Sequence, residues 1–175
     1  DGHFYQVIEG ELVMTPSPRA FHQRALLTLS RAIGNFLEAH PLGELFIAPF
    51  DVVLRAEAPA IVLQPDLLFV AAARRDIVTE ANVQGVPDLV VEILSPSTAR
   101  VDTVRKLGIY AAHGVREYWI VPHQFDRIEV LRLDPATGHY GRPELYLASD
   151  VLTSPLLPGF ELAVATLFPA EETRA

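Results

Sequence analysis

The 175-residue sequence contains no cysteine. Disulfides, zinc-thiolate centres and thiol nucleophiles are thereby excluded, any metal must be held through oxygen or imidazole, and the chain suits a reducing compartment, which points to the cytoplasm. Long hydrophobic runs are missing too: the longest, such as Leu67 to Ala73, are strand-sized and far short of the ~20 residues that span a bilayer, so no membrane is expected as a partner. No secretory signal is visible at the start. Lysine is almost absent, with Lys106 standing alone against thirteen arginines. The chain also lacks a P-loop, G-x-G-x-x-G, G-x-S-x-G and H-E-x-x-H, so the corresponding phosphate-binding, acyl-transfer and zinc chemistries lose support.

Half of the residues are hydrophobic, enough at this length to bury a continuous core, and residues 1–175 are expected to form one domain. The net charge of −8 argues against a protein that coats nucleic acid, because non-specific phosphate binding needs clustered cations. Charge is unevenly spread, however. Arg19, Arg24 and Arg31 lie in a stretch from Val13 to Leu37 without an acid, and Arg100, Arg105, Lys106 and Arg116 face only Asp102 between Ser97 and Arg116.

Apolar periodicity divides the chain. Tyr5 to Met14 alternates around Glu9-Gly10-Glu11 and reads as a hairpin. Ser17-Pro18 reads as the start of a helix carrying Leu26, Leu29, Ile33, Phe36 and Leu37 and ending before Pro41-Leu42-Gly43. Leu45 to Leu54, Gln64 to Val70 and Asp88 to Leu94 read as strands, with a short helix near Asp76 to Val83. A second helix is expected from Ser97 to a glycine stop at His113-Gly114, followed by a strand from Glu117 to Val121. Arg127 to Leu133 and Glu144 to Leu147 add two strands, and the apolar run Phe160 to Phe168 must pack on something. The order helix, three strands, helix, strand, with further strands at both ends, is an α/β (α+β) arrangement. Short connections favour antiparallel pairs and the second helix makes a parallel crossover, so the sheet should be mixed.

Acids in buried strands need an explanation, since an unpaired carboxylate in a low-dielectric interior is costly. Two strands open with the same word, Pro65-Asp66-Leu67 and Pro87-Asp88-Leu89, and the second also holds Glu92. Asp88 and Glu92 are about 13 Å apart along one strand, too far to grip one ion. If the two strands run antiparallel, Asp66 faces Glu92 instead, and that pair can hold Mg²⁺ with waters and substrate phosphate completing the shell. Lys106 is a tunable point charge able to position water or stabilise phosphoryl charge. On a helical wheel, though, Asp102 and Lys106 lie nearly opposite a Val104, Leu107, Ala111 stripe, which favours an exposed face with an i,i+4 ion pair, the alternative being a cleft along that edge within reach of the lysine. His22, one turn into the first helix among arginines, is a candidate contact for a phosphate or an acid.

The string from Val86 through Pro-Asp-Leu-Val-Val-Glu-Ile-Leu-Ser-Pro-Ser to Thr98, then Asp102, Lys106 and Tyr110, then Gly114 through Val-Arg-Glu-Tyr-Trp-Ile to Val121, resembles a bacterial family of restriction-endonuclease-like proteins. Tyr5 to Met14, Pro16-Ser-Pro18 with His22, Asp51 to Leu54 and Gln64 to Leu67 extend the likeness over nearly the whole chain. That family resembles a branch of the PD-(D/E)XK nucleases, whose core order is the one read above. The resemblance implies that Asp66 and Glu92 are metal ligands for Mg²⁺ or Mn²⁺, that Lys106 is a catalytic lysine displaced onto a helix, and that DNA is the substrate. Leu94 stands where the motif expects lysine, and Val121-Pro122-His123 replaces the Val-Asp-Pro of relatives. His22, Asp88 and Asp102 are supporting or substrate-binding candidates. Cleavage of two strands and the extra terminal strands are compatible with a homodimer. A non-catalytic binding or adaptor protein, and a small-molecule phosphoesterase, are the alternatives.

Overall fold

The computed structural model describes residues 4–15, 18–94 and 101–168. The N-terminal hairpin pairs β1 (Phe4–Ile8) with β2 (Glu11–Thr15) through Glu9 and Gly10. Both turn residues have positive φ, 52° and 86°, the geometry that matches a two-residue loop to strand twist. The first helix, α1 (Ala20–Ala39), starts later than expected from Pro18, because Arg19 keeps an extended ψ of 168°. Ser17 lies outside the described residues.

The single strand expected over 45–54 is two strands, β3 (Gly43–Ile47) and β4 (Asp51–Arg55). Pro49 lies between them; without an N–H it cannot continue a ladder, and the two halves join different sheets. Next come β5 (Ile61–Leu63) and β6 (Leu67–Ala71). The short helix expected near 76–83 is instead a 3₁₀ segment at Ala72–Ile77, after which β7 (Asn82–Gln84) pairs in parallel with β4. Then follow β8 (Leu89–Leu94), α2 (Val101–His113), β9 (Glu117–Pro122) and β10 (Arg127–Asp134). The expected start of α2 at Ser97 lies outside the described residues. The chain continues through β11 (His139–Tyr140), β12 (Glu144–Leu147), β13 (Val151–Ser154) and β14 (Leu157–Ala163).

The large sheet runs β11-β10-β9-β8-β6-β3, with β12 also on β10; the small sheet runs β2-β1-β5-β4-β7. β6 and β8 are antiparallel, while β8 and β9, joined through α2, are parallel, so the sheet is mixed. Strand periodicity then sorts the core. Leu89, Val91 and Ile93 of β8 pack with Ala25, Leu26, Leu29 and Ile33 of α1 and with Phe160 and Leu162 of β14. Val90 packs with Ile109 and Tyr110 of α2 and with Ile8, Ile61 and Leu63 of the small sheet. The central strands are thus covered on both faces, which is why they read as unbroken apolar runs. Among the described residues, no helix is long and apolar enough to cross a membrane.

Candidate active site

The antiparallel register of β6 on β8 pairs Leu67 with Val91 and Leu68 with Val90, so position 66, one residue before β6, continues that register opposite position 92. Asp66 is fixed there by two donors. The backbone N–H of Ile93 donates to its Oδ2 at 2.6 Å, and His22 Nε2 donates to its Oδ1 at 2.8 Å. His22 comes from the first turn of α1, so the site lies where that helix meets the start of β6. His22 Nδ1 is buried and has no hydrogen-bond partner among the described residues.

Glu92 shares the parity of Val90 and therefore faces α2. It is only 7% exposed, and its Oε1 accepts hydrogen bonds from Lys106 Nζ at 2.9 Å and from Tyr110 Oη at 3.0 Å. Lys106 and Tyr110 are four residues apart on α2 and so project from one helix face. This corrects the helical-wheel expectation: Lys106 is 5% exposed and Val104 is 69% exposed. The reason is that α2 lies between two sheets, and the face built by Lys106, Ile109 and Tyr110 is the one turned to the large sheet. Beside it, Arg105 bonds Glu9, Glu11 and the Ile8 carbonyl of the hairpin.

Electrostatics follow from this packing. Burial pushes the Glu92 carboxyl above its usual value and the charge of Asp66 adds to the rise, while Lys106 and Tyr110 oppose it. For His22, burial favours the neutral ring, but the hydrogen bond to Asp66 and the charges of Asp66 and Glu92 outweigh it and raise the pKa. Burial and Glu92 hold the Tyr110 hydroxyl well above its usual range, so it stays a donor at neutral pH. Two neighbouring carboxylates, one made costly by burial and by the other's charge, form an all-oxygen donor set that fits a hard divalent cation. Among the described residues, no cluster of three or more histidine, aspartate or glutamate side chains is arranged to hold a metal.

The other candidates fall elsewhere. Asp88 is fully buried at the opposite end of β8. Its Oδ2 accepts from the Ala71 N–H at 2.9 Å and its Oδ1 from Arg74 at 3.1 Å and Arg116 at 3.5 Å. The structure does not bring it to Asp66 and Glu92. The side chain of Asp102 lies outside the described residues. Tyr110 is absent from the sequence-derived site although its position four residues after Lys106 signals a shared face. The Ile93 N–H carries no sequence signal at all.

The family profile described as Uma2, "putative restriction endonuclease", matches residues 1–165. The chain belongs to the Uma2 family. A crystal structure of a "putative nuclease belonging to DUF820" from Anabaena variabilis ATCC 29413 is similar to this Uma2 chain, with a TM-score of 0.77 and 16% identity over 94% of this chain and 89% of that one. The two share a mixed α+β, nuclease-like fold. No curated protein matches the sequence.

Proposed function

We propose that this Uma2-family protein is a divalent-metal-dependent endonuclease that hydrolyses DNA phosphodiester bonds, with Asp66, Glu92 and Lys106 as its catalytic residues. The observation that carries the reading is the convergence of Asp66 and Glu92 from antiparallel strands with a buried lysine on the second acid. Asp66 and Glu92 would hold Mg²⁺ or Mn²⁺, and an ion there supplies shielding of phosphate charge and a lowered pKa for attacking water. The residues of the chain do the positioning. His22 and the Ile93 N–H fix the two oxygens of Asp66, and Lys106 places a positive charge beside Glu92, where charge on a phosphoryl group develops. Lys106 thereby takes the role that Leu94 cannot play.

The test is plasmid cleavage with Mn²⁺. Wild-type protein nicks the plasmid, and Asp66→Ala and Glu92→Ala reduce cleavage to the level of buffer alone; equal nicking by all three overturns the site. Leu94 at the usual lysine position favours a second reading, a binding module without chemistry. Calorimetry separates the two, since a protein that takes up no Mn²⁺ is not a metal-dependent nuclease.

A further inference from the structure

We infer that Tyr110 is a positioning residue for the metal site, acting through Glu92, an inference that rests on the nuclease reading above. Its hydroxyl and the Lys106 ammonium both donate to the same oxygen, Oε1, and among the described residues no hydrogen bond reaches Oε2. Two donors on one oxygen fix the rotation of the carboxyl group and leave the second oxygen as the one available to a cation.

The Tyr110 ring is itself immobilised. It is fully buried, packs edge-on against Tyr118 with centroids 5.0 Å apart, and sits in the cluster formed by Val90, Ile109, Val115 and Ile120. A rigid aromatic stem bearing one hydroxyl is suited to orienting a ligand, whereas the flexible lysine supplies charge without fixing direction. Glu92 also has little freedom to compensate, because it projects from a central strand paired on both sides.

The full-length Tyr110→Phe variant tests this, since it keeps the ring in the core and removes only the hydroxyl. Tyr140→Phe is the control: its hydroxyl also donates to a single partner, the Val115 carbonyl at 2.8 Å, which is not part of the acid pair. Calorimetric titration with Mn²⁺ is expected to show binding about 10–100-fold weaker for Tyr110→Phe than for wild type, with Tyr140→Phe unchanged. In plasmid cleavage, excess Mn²⁺ restores part of the lost rate of Tyr110→Phe. Wild-type Mn²⁺ affinity in Tyr110→Phe, or equal weakening in both variants, overturns the positioning role while leaving the nuclease reading intact. Absence of Mn²⁺ binding by the wild-type protein overturns both.

Discussion

Lys106 and Glu92 form a buried ion pair whose two members have unequal alternatives. A buried carboxyl can take up a proton, and Glu92 is already pushed towards doing so by burial and by Asp66. Removing one partner of such a pair leaves an uncompensated charge. Lys106→Ala should therefore lower unfolding free energy by about 3 kcal/mol at neutral pH, and by less in acid, where Glu92 is neutral. Denaturant unfolding at two pH values measures this. Lys106→Met, which restores the apolar stem, should recover part of the stability and none of the cleavage. His22 gives the opposite pH signature. Its folded-state pKa lies above the usual 6.5, so its bond to Asp66 contributes stability that is fully present below that value. The contribution is lost as pH rises through the folded pKa. In metal-free buffer, the stability difference between wild type and His22→Gln should shrink as pH is raised across this range. A difference that does not vary with pH would show that the ring is not charged against Asp66.

At the scale of elements, β8 carries two acids with separate duties at its two ends. Glu92 meets α2, whereas Asp88 joins the strand to Arg74 of the 3₁₀ segment and to Arg116 before β9. Asp88→Asn keeps an acceptor for the Ala71 N–H and loses the charge that both arginines face. It should destabilise the protein by about 2 kcal/mol, read as a lower denaturation midpoint, and leave Mn²⁺ affinity at the wild-type value. Weaker metal binding in that variant would place Asp88 in the functional unit after all. Glu117, at the start of β9, is a further internal tie: Trp119 Nε1 and Ser154 Oγ each donate to its Oε2 at 2.9 Å, and Arg132 donates to its Oε1 at 3.1 Å. It fastens the β13–β14 hairpin to the large sheet, and in that terminal segment Phe160 meets Phe36 of α1 edge to face while Phe168 stacks on Phe21. The helix that delivers His22 is thereby braced from the far end of the chain.

For the whole molecule, a net charge of −8 repels a polyanion, so the proposed DNA substrate would have to be attracted locally. The first helix carries candidate cations. Arg19, Arg24 and Arg31 are exposed and make no ion pair among the described residues, and Arg19 lies one turn from His22. With DNA as substrate, Arg19→Gln and Arg24→Gln should each raise KM at fixed salt and reduce the slope of log affinity against log salt by about one unit. Turnover at saturating DNA should stay near wild type. An unchanged slope in both variants would assign the arginines to solubility alone.

The sequence by itself determined the core order of helix, strands, helix, strand and the mixed character of the sheet, though not the break at Pro49 or the 3₁₀ segment at Ala72–Ile77. What it determined rests on local rules: apolar period, and proline and glycine punctuation. Three matters were left to the tertiary structure. The Pro-Asp-Leu word occurs twice, and only sheet placement decides that Asp66 meets Glu92 while Asp88 is enclosed by arginines, because the same residues precede each strand. Which side of α2 faces inward was ambiguous because the helix packs near two sheets, so both Leu107 and Lys106 had claims, and the acid on β8 settled it by holding the lysine. The backbone donor of Ile93 and the hydroxyl of Tyr110 join the site through register and packing. A linear pattern encodes which residues are apolar or charged, but the partner each charge finds depends on elements brought together from distant parts of the chain.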